Sequence, residues 1–563
     1  MNLRVWAPHA QSVKVLLGTE PQPMVEDSGG WWRLGKDLPG GTRYRFILDD
    51  GEPLADPRSP SQPDGVFGPS AAIDHSAFAW HDAGWQSPPL DSAIIYELHI
   101  GTFTPGGTFD SAIPYLDHLV ALGVTHVEIM PVNEFAGTRG WGYDGVLVWA
   151  PHHGYGGPDG MKRFIDACHA RGLAVLLDVV YNHFGPEGSV VQRFGPYTTD
   201  QYRTPWGAAI NLDQAGSDEV RRFFCDNALM WLRDYHCDGL RIDAIHAFHD
   251  HSALPFLEQL ATETGGRAIA ESNLNDPRVV RPPDEGGFGF PAQWNDDFHH
   301  AAHVTLTGEQ FGYYIDFAPF RDLARVLEHG FVYQGQFSRF RQRAHGRPPP
   351  AGLSGRQLVA SLQNHDQVGN RADGARLSRL ISLQRCRVAA TLLLTSPFIP
   401  LLFQGEEWGA STPFPYFCDH QDPDLVQAVR EGRRQEFAEI ADGGDAVPDP
   451  QDLETFASAR LCWDESIRGD HATLLAWYRK LIAIRRTEPD LSDGKLDRCN
   501  VRFDADAGWM QVTRGRVQVA CNLSASPQTL AVDGASTVLA QSGDVTVSGG
   551  ALSLGPDAVV ILR

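Results

Sequence analysis

Hydrophobic and polar residues alternate in short runs along the first part of the chain, and this pattern predicts β-strands. The alternation is clearest at 13–17 and 44–48, and stretches rich in Gly, Pro and Asp separate the runs. Short strands joined by such turns are typical of a small β-sandwich. We therefore expect an N-terminal β-sandwich over 1–84, followed by a proline-containing linker at 87–91.

From Ala93 the pattern changes to short apolar segments that alternate with longer amphipathic ones. The apolar segments predict strands at 94–98, 124–130, 173–179, 239–243, 267–271, 292–296, 357–363 and 398–404. Their nearly continuous apolar character indicates burial on both faces, as in a parallel sheet. The segment 218–235 carries its apolar residues on one helical stripe and predicts a helix. Eight strands with crossover-length connections predict a (β/α)8 barrel over 91–490.

The end of the chain returns to strand-like alternation after one more helical segment. A helix is predicted at 471–487, and alternation follows at 517–520 and 558–562. This pattern indicates a second β-domain over 491–563. The predicted fold class is therefore α/β, a (β/α)8 TIM barrel flanked by an N-terminal β-sandwich and a C-terminal β-domain.

Composition and charge narrow the classes of partner. The formal charge of −23 argues against binding of nucleic acid, whose phosphates attract cationic surfaces. No apolar run is long enough to predict a membrane span, and the N-terminus lacks the apolar core and cleavage site of a signal peptide. The eight cysteines are scattered, with no close pairs, which favours buried free thiols over disulfides. We expect a cytoplasmic protein, and the sequence leaves the oligomeric state open.

Acidic residues stand at the ends of most predicted barrel strands. They are Asp178, Asp243, Glu271, the tract 295–297, Asp366 and the pair Glu406 and Glu407. The carboxyl ends of all eight strands of such a barrel meet at one mouth, where active sites lie. An isolated Asp is more often a cap or turn residue, but convergence from several strands favours a catalytic site.

Paired carboxyl groups in one pocket suit the cleavage of glycosidic bonds. One group must be protonated to donate to the leaving oxygen, and another must be ionised to attack the anomeric carbon. Asp243 and Glu271 follow neighbouring strands, so their side chains can approach each other closely. Arg241 lies two residues before Asp243 and points to the same side of the strand, where its charge would keep Asp243 ionised and oriented.

Four tracts resemble the signature regions of the α-amylase family: DVVYNH (178–183), GLRIDAIHA (239–247), IAESN (269–273) and QNHDQVGN (363–370). The resemblance implies a retaining double displacement, with Asp243 as nucleophile, Glu271 as general acid/base and Asp366 as the carboxylate that stabilises the transition state. It also implies sugar contacts from family positions and the residues around them: Tyr143, Asp144, His183, Arg241, His246, Trp294, Asp296, Asp297, His365, Gln367, Asn370 and Glu407.

One departure from the family pattern concerns metals. Amylases usually carry Lys-His after the nucleophile tract, where this chain has His246-Ala247. That change places in doubt the usual amylase subsite contacts and one ligand of the calcium site that many amylases have. Because the sequence shows no separate calcium loop, we predict neither a required metal nor a cofactor.

Longer tracts distinguish between branches of the family. YELHIGTFTPGGTF (96–109), the segment 292–314 and FQGEEWGASTPF (403–414) resemble the trehalohydrolases of the family. That resemblance implies maltooligosyltrehalose and related α-glucans as substrates, with cleavage next to the terminal trehalose unit.

Three other functions compete with this interpretation. A glucan branching enzyme shares the domain plan, but it typically has His-Asp-Glu where this chain has His365-Asp366-Gln367. An amylase-type glucanohydrolase shares the catalytic residues. A non-catalytic glucan-binding protein is disfavoured because all three carboxylates are present, and no nucleotide-binding loop supports a nucleotide-dependent enzyme.

Overall fold

The computed structural model describes residues 1–438, 447–532 and 537–563, and its centre is a closed barrel of eight parallel strands. In chain order, barrel strands one to eight are Ile95–Leu98, His126–Ile129, Ala174–Val179, Gly239–Ile242, Ala268–Ala270, Ala292–Trp294, Leu358–Ser361 and Ile399–Phe403. Strand eight pairs with strand one and closes the barrel. The eight predicted strands are confirmed, each slightly shorter than its pattern suggested.

Burial on both faces explains the apolar character of the strands. Every residue of the eight strands is buried. Most side chains are apolar, but Glu97, Glu128, Arg241 and Gln293 are polar and buried in the same strands. These polar residues lie inside the barrel, so the strands contribute charged and polar side chains as well as apolar core residues.

Helices connect the strands and cover the outside of the barrel. The α-helices in the described residues are Ile100–Phe103, Phe109–Ala112, Leu116–Leu122, Gly157–His169, Val191–Phe194, Ser217–Arg233, Phe256–Glu263, Asp296–Thr307, Arg321–His329, His365–Gly369, Leu377–Leu380, Leu383–Leu394, Pro423–Ala438, Leu453–Ser458, Gly469–Thr487 and Pro489–Ser492.

Both helices predicted from the sequence are present, with small changes at their ends. The helix predicted over 218–235 ends at Arg233, because His236 adopts a positive φ of 57° that a right-handed helix cannot continue. The helix predicted over 471–487 begins at Gly469 and ends at Thr487, since Pro489 disfavours helical geometry at the residue before it. Apolar stripes therefore located the helices, and local backbone chemistry set their ends.

Two antiparallel sheets precede the barrel and two follow it. The N-terminal strands are Asn2–Trp6, Val13–Leu17, Glu20–Pro23, Val25–Glu26, Trp31–Asp37, Arg43–Leu48 and Ser70–Ala71. The C-terminal strands are Cys499–Asp504, Trp509–Arg514, Val517–Asn522, Gln528–Ala531, Val538–Ser542, Val545–Ser548, Ala551–Leu554 and Ala558–Leu562. The predicted fold class is confirmed, with a β-rich region at each end of the barrel.

Three two-stranded hairpins extend from the connections of the barrel. They consist of Asn133–Glu134 with Leu147–Pro151, Thr198–Thr204 with Gly207–Ile210, and Gln334–Ser338 with Arg343–Gly346. They follow strands two, three and six in the chain. The turns of the second and third hairpins bring Trp206 and Phe340 to the catalytic cleft described below.

All eight cysteines lie in the described residues and are free, and seven of them are buried. The expectation of buried free thiols is confirmed for all of them except Cys462, which is free but exposed. Among the described helices, none combines the length and apolarity needed to cross a membrane.

Candidate active site

The three predicted catalytic carboxylates line one cleft at the carboxyl ends of the barrel strands. Asp243 directly follows strand four, Glu271 directly follows strand five, and Asp366 lies in the first turn of the helix His365–Gly369 after strand seven. The cleft has a volume of about 840 Å³. The barrel topology therefore brings together three groups that are up to 123 positions apart (366 − 243) in the chain.

Both oxygens of Asp243 are held by neighbouring side chains. Arg241 Nη1 donates to Oδ1 at 2.6 Å, and Asn182 Nδ2 donates to Oδ2 at 2.8 Å. Asn182 stands in the strand-three tract, so contacts from two strands fix one carboxylate. Two donors on different oxygens restrict rotation of the group. Asp243 is thus oriented as a nucleophile needs to be, at the floor of the cleft.

Arg241 is a fully buried cation between several carboxyl groups. Its Nη1 lies 3.0 Å from both oxygens of Asp178, and its Nη2 lies 4.0 Å from Glu271 Oε2. The ring of Trp294 packs 4.2 Å from the guanidinium carbon. Burial lowers the pKa of Arg241, but Asp178 and the other acidic groups outweigh burial and raise the pKa above its usual value. The cation is therefore permanent and anchors the site from below.

Glu271 occupies a setting suited to a proton donor. Its Oε2 accepts the backbone N–H of Ala244 at 2.6 Å, and its side chain lines the cleft. Ala244 has a left-handed conformation, with φ 42° and ψ 52°, immediately after Asp243. Such strained geometry at a residue with a Cβ is characteristic of functional sites. Burial raises the pKa of Glu271; Arg241 opposes this effect and Asp243 adds to it.

Seven of the twelve predicted substrate-binding residues line the same cleft, and their contact with substrate remains a prediction. They are Tyr143, Asp144, His183, His246, Asp296, Gln367 and Asn370. His183 stacks on Trp206 with ring centroids 4.9 Å apart. Burial raises the pKa of Asp296 to about 8, and the charges of Glu271 and Asp366 add to that rise. The cleft therefore combines aromatic faces with closely spaced acidic groups, as carbohydrate sites do.

Three further predicted residues lie beneath the cleft and do not line it. Arg241 and Trp294 pack against each other as described above. His365 is buried, with its ring nitrogens bonded to Glu97 and Tyr143. These residues contact the groups that face the substrate. Their positions support an indirect role in orienting those groups.

The structure corrects the expectation for Asp297 and Glu407. Asp297 Oδ2 accepts the backbone N–H groups of Val332 and Tyr333, at 2.6 and 3.0 Å. Glu407 is fully buried, and its Oε1 lies 2.8 Å from His118 Nε2. Neither residue lines the cleft, and protein donors bind these oxygens. Both carboxyl groups are therefore bound within the protein, although they follow barrel strands as Asp243 and Glu271 do.

Sequence reasoning missed several residues that line the cleft. The third hairpin contributes Phe340 and Arg341, and the helix Pro423–Ala438 contributes Arg433. Asn273, His300, Tyr313 and Tyr416 also line the cleft. His300 and Tyr313 lie in the tract 292–314, which carries the resemblance to the trehalohydrolases, but nothing in the pattern placed the hairpin or the helix over the mouth.

One cluster has residues of the kinds that bind metals. Glu134, His152 and His153 offer donor atoms within 4.8 Å of one another. However, His152 Nδ1 accepts the backbone N–H of Gly154 at 3.0 Å, so the ring proton of neutral His152 sits on Nε2. A protonated Nε2 cannot bind a metal. The hydrogen bonds therefore favour a buried ion pair between Glu134 and His153, whose Nδ1 lies 2.7 Å from Oε1.

A parallel barrel with three such carboxylates at its mouth defines a glycoside hydrolase of the α-amylase type. The family model described as alpha amylase, catalytic domain, matches residues 62–206, and a domain of unknown function, DUF3459, matches 494–561. The malto-oligosyltrehalose trehalohydrolase of Arthrobacter ramosus is 47% identical over 100% of both chains. The chain belongs to the malto-oligosyltrehalose trehalohydrolase family.

Two other comparisons agree with this placement. The malto-oligosyltrehalose trehalohydrolase of Mycobacterium tuberculosis is 47% identical, over 95% of this chain and 94% of the relative. A crystal structure from Salmonella typhimurium, named as an alpha amylase, is 40% identical with a TM-score of 0.92, covering 100% of this chain and 97% of that chain. The similarity therefore extends across the barrel and both flanking β-regions.

Proposed function

We propose that the protein hydrolyses the α-1,4-glucosidic bond next to the terminal trehalose unit of maltooligosyltrehalose, releasing trehalose and a maltooligosaccharide. The observation that carries the proposal is the near-full-length similarity to malto-oligosyltrehalose trehalohydrolases, at 47% identity. The cleft supports it with acidic and aromatic side chains. Related α-glucans are the other substrates that we propose for the site.

The contacts of the three carboxylates support a retaining mechanism. Asp243, oriented by Arg241 and Asn182, attacks the anomeric carbon and forms a covalent glycosyl–enzyme. Glu271, whose acid form is favoured because burial raises its pKa, donates to the leaving oxygen and then accepts a proton from the attacking water. Asp366, on the helix after strand seven, stabilises the oxocarbenium-like transition state through the sugar hydroxyls.

Preference for a trehalose leaving group requires fixed polar groups beside the scissile bond. Trehalose joins two rings through both anomeric carbons, so its hydroxyls differ in position from those of maltose. Asp296, His300 and Arg341 are polar residues of the cleft, and His300 Nδ1 is buried without a hydrogen-bond partner among the described residues. A ligand that leaves such groups unpaired binds much more weakly. These residues are our candidates for the selectivity.

A comparison of two substrates of equal length tests the proposal. The protein is incubated with maltotriosyltrehalose and, separately, with maltopentaose, and the released sugars are identified by chromatography. We expect trehalose and maltotriose from the first substrate, at a kcat/KM well above that for maltopentaose. Equal or faster cleavage of maltopentaose would instead indicate an amylase, and new α-1,6 branches on amylose would indicate a branching enzyme.

The cellular setting and the partners form the rest of the proposal. We propose a cytoplasmic enzyme that binds no nucleic acid and no membrane. The eight free cysteines are consistent with a reducing compartment, and the charge of −23 disfavours polyanions. Fractionation of cells, followed by detection of the protein and its trehalose-releasing activity, tests the location.

A further inference from the structure

The barrel interior holds two buried glutamates on neighbouring strands, and neither lines the cleft. Glu97 of strand one and Glu128 of strand two are directly paired in the parallel register. Both are almost completely buried. Glu97 is hydrogen-bonded to its surroundings, whereas both carboxyl oxygens of Glu128 lack a partner among the described residues. The two groups therefore have similar positions and very different contacts.

Glu97 binds His365 at two points. Its Oε1 lies 2.5 Å from His365 Nδ1, and its Oε2 accepts the backbone N–H of His365 at 3.1 Å. A carboxylate can only accept hydrogen bonds, so the contact at Oε1 places a proton on Nδ1. The two contacts together fix the side chain and the main chain of His365 at the start of the helix that carries Asp366.

The hydrogen bonds continue from His365 toward the nucleophile. His365 Nε2 lies 2.7 Å from the Tyr143 hydroxyl, and that hydroxyl donates to Asp178 Oδ2 at 2.6 Å. Tyr143 has a single O–H proton. If it donates that proton to Asp178, its oxygen must accept one from Nε2. When Asp178 is ionised beside Arg241, whose Nη1 lies 3.0 Å from both of its oxygens, a doubly protonated His365 satisfies every bond from Glu97 to Asp178.

We propose that Glu97 is a positioning residue of the active site: it keeps His365 doubly protonated and, through the Tyr143 hydroxyl, fixes the aromatic ring that faces the cleft. The rings of Tyr143 and His365 stack with centroids 5.0 Å apart and an interplanar angle of 21°. Displacement of His365 would therefore displace Tyr143. The proposal rests on the proposed function for the identity of the substrate. The protonation state of His365 does not depend on that function.

The charged groups around His365 come from several elements. Glu97 lies on strand one, Asp366 lies on the same helix, with Oδ1 3.5 Å from Nε2, and Asp178 is reached through Tyr143. Arg241 of strand four opposes protonation. Burial lowers the pKa of His365, but Glu97 and Asp366 outweigh burial, and the pKa is raised to about 9.

Protonation of His365 is linked to folding. Because the pKa of His365 in the folded protein is above that of a free histidine, about 6.5, its contribution to stability is fully present below pH 6.5 or so. The contribution is lost as the pH rises through about 9. A neutral side chain at position 97 removes the principal counter-charge and moves this loss toward neutral pH.

Glu97→Gln and Glu128→Gln form a matched pair of variants in the full-length protein. Both oxygens of Glu128 are buried without a partner among the described residues, and burial with the charge of Glu97 raises its pKa well above the usual value. An amide at this position therefore matches the neutral acid in charge and shape. The state of His365 is followed by NMR titration of protein labelled with ¹³C at histidine Cε1, with the signal assigned from a His365→Asn spectrum. kcat and KM for maltotriosyltrehalose are measured across the same pH range.

We expect Glu97→Gln to lower the pH midpoint of His365 by about one unit or more, since an adjacent opposite charge is worth that much. We expect kcat to fall roughly tenfold or more at neutral pH, as when the carboxylate partner of a functional histidine is lost. KM should change much less, and the loss of kcat should grow as the pH rises through the new midpoint. Glu128→Gln should leave the midpoint and kcat unchanged.

An unchanged His365 midpoint in Glu97→Gln would overturn the proposal, as would a loss of kcat that is equal at every pH or shared by Glu128→Gln. If Glu97→Gln does not fold, Glu97→Asp keeps the charge at shorter reach, and the proposal then requires a His365 midpoint between those of free histidine and the wild type. The NMR titration of His365 uses no substrate. It therefore tests the proposal even if the protein does not release trehalose.

Discussion

Two pairs of carboxyl groups follow strands of the same barrel and have very different surroundings. Asp243 and Glu271 follow strands four and five and line the cleft, whereas Glu406 and Glu407 follow strand eight and do not. Protein donors bind the second pair: Tyr478 donates to Glu406 Oε1 at 3.0 Å, and Tyr96 donates to Glu407 Oε1 at 3.1 Å. The first pair retains access to a ligand. Position after a barrel strand therefore does not by itself place a carboxyl group in the cleft.

The adjacent residues Asp296 and Asp297 show the same difference in surroundings. Asp296 lines the cleft, while Asp297 bonds the backbone at Val332 and Tyr333. Consecutive side chains at the start of a helix point in different directions. The donors that occupy one of them come from a segment more than thirty residues away, which the sequence pattern does not place.

The largest effect is expected from substitution of the first pair. Asp243→Asn and Glu271→Gln should each reduce the hydrolysis rate by on the order of a thousandfold or more, because each removes a group that takes part directly in bond making or proton transfer. The rate is measured on maltotriosyltrehalose. Circular dichroism and melting temperature should stay close to those of the wild type, and a loss of activity below tenfold in either variant would argue against its assigned role.

A smaller loss is expected for Asp366→Asn, roughly a hundredfold, typical of an electrostatic contact at the transition state. Because this contact strengthens as the sugar distorts, kcat should fall more than KM rises. Steady-state kinetics on the same substrate separate the two constants. If only KM changes, Asp366 binds the ground state and does not stabilise the transition state.

The pH dependence of the hydrolysis rate tests the role of Glu271 as general acid. Burial raises the pKa of Glu271 and so favours its acid form, and the rate should fall on the alkaline side as that proton is lost. Glu271→Gln, assayed with a maltooligoside that has an activated leaving group, should lose this alkaline limb. Retention of the same limb in the variant would assign it to another group, such as Asp296, whose pKa is also raised.

The smallest effect on catalysis is expected from the strand-eight pair. Glu407→Gln keeps the shape of the side chain but removes the charge that faces His118 and weakens the bond from Tyr96. We expect a loss of about 1–3 kcal/mol in the free energy of unfolding, because a buried hydrogen-bonded charge is disrupted. Denaturant titration measures it, and hydrolysis should be nearly unchanged. A large fall in kcat without a loss of stability would place Glu407 in the catalytic machinery.

Much of the fold could be predicted because short-range patterns of apolar residues indicate the strands and helices. Continuous apolar runs located all eight strands, and apolar stripes located the two predicted helices. Helix ends were less accurate, since the end at Arg233 depends on the backbone conformation of His236. The contact of Arg241 with Asp243 also followed from sequence, because residues two apart on a strand share a face.

The rest of the site depends on contacts between distant segments. Phe340 and Arg341 reach the cleft from a hairpin, and Arg433 reaches it from a helix after strand eight. The burial of Glu407 depends on His118 and Tyr96, about three hundred residues earlier in the chain. No periodicity in the sequence records such pairings. The three proposed catalytic residues could be selected from the sequence because they stand in compact motifs at strand ends, whereas the side chains that surround them do not.

Covalent trapping of the nucleophile tests the central claim most directly. The protein is incubated with a mechanism-based fluorosugar of the α-gluco configuration, digested and analysed by mass spectrometry to locate the attached sugar. We expect the label on Asp243, the carboxylate held by Arg241 and Asn182 at the end of strand four. We expect no label in Asp243→Asn. A label on any other carboxylate, including Asp296 or Glu406, would contradict the assignment of the active site.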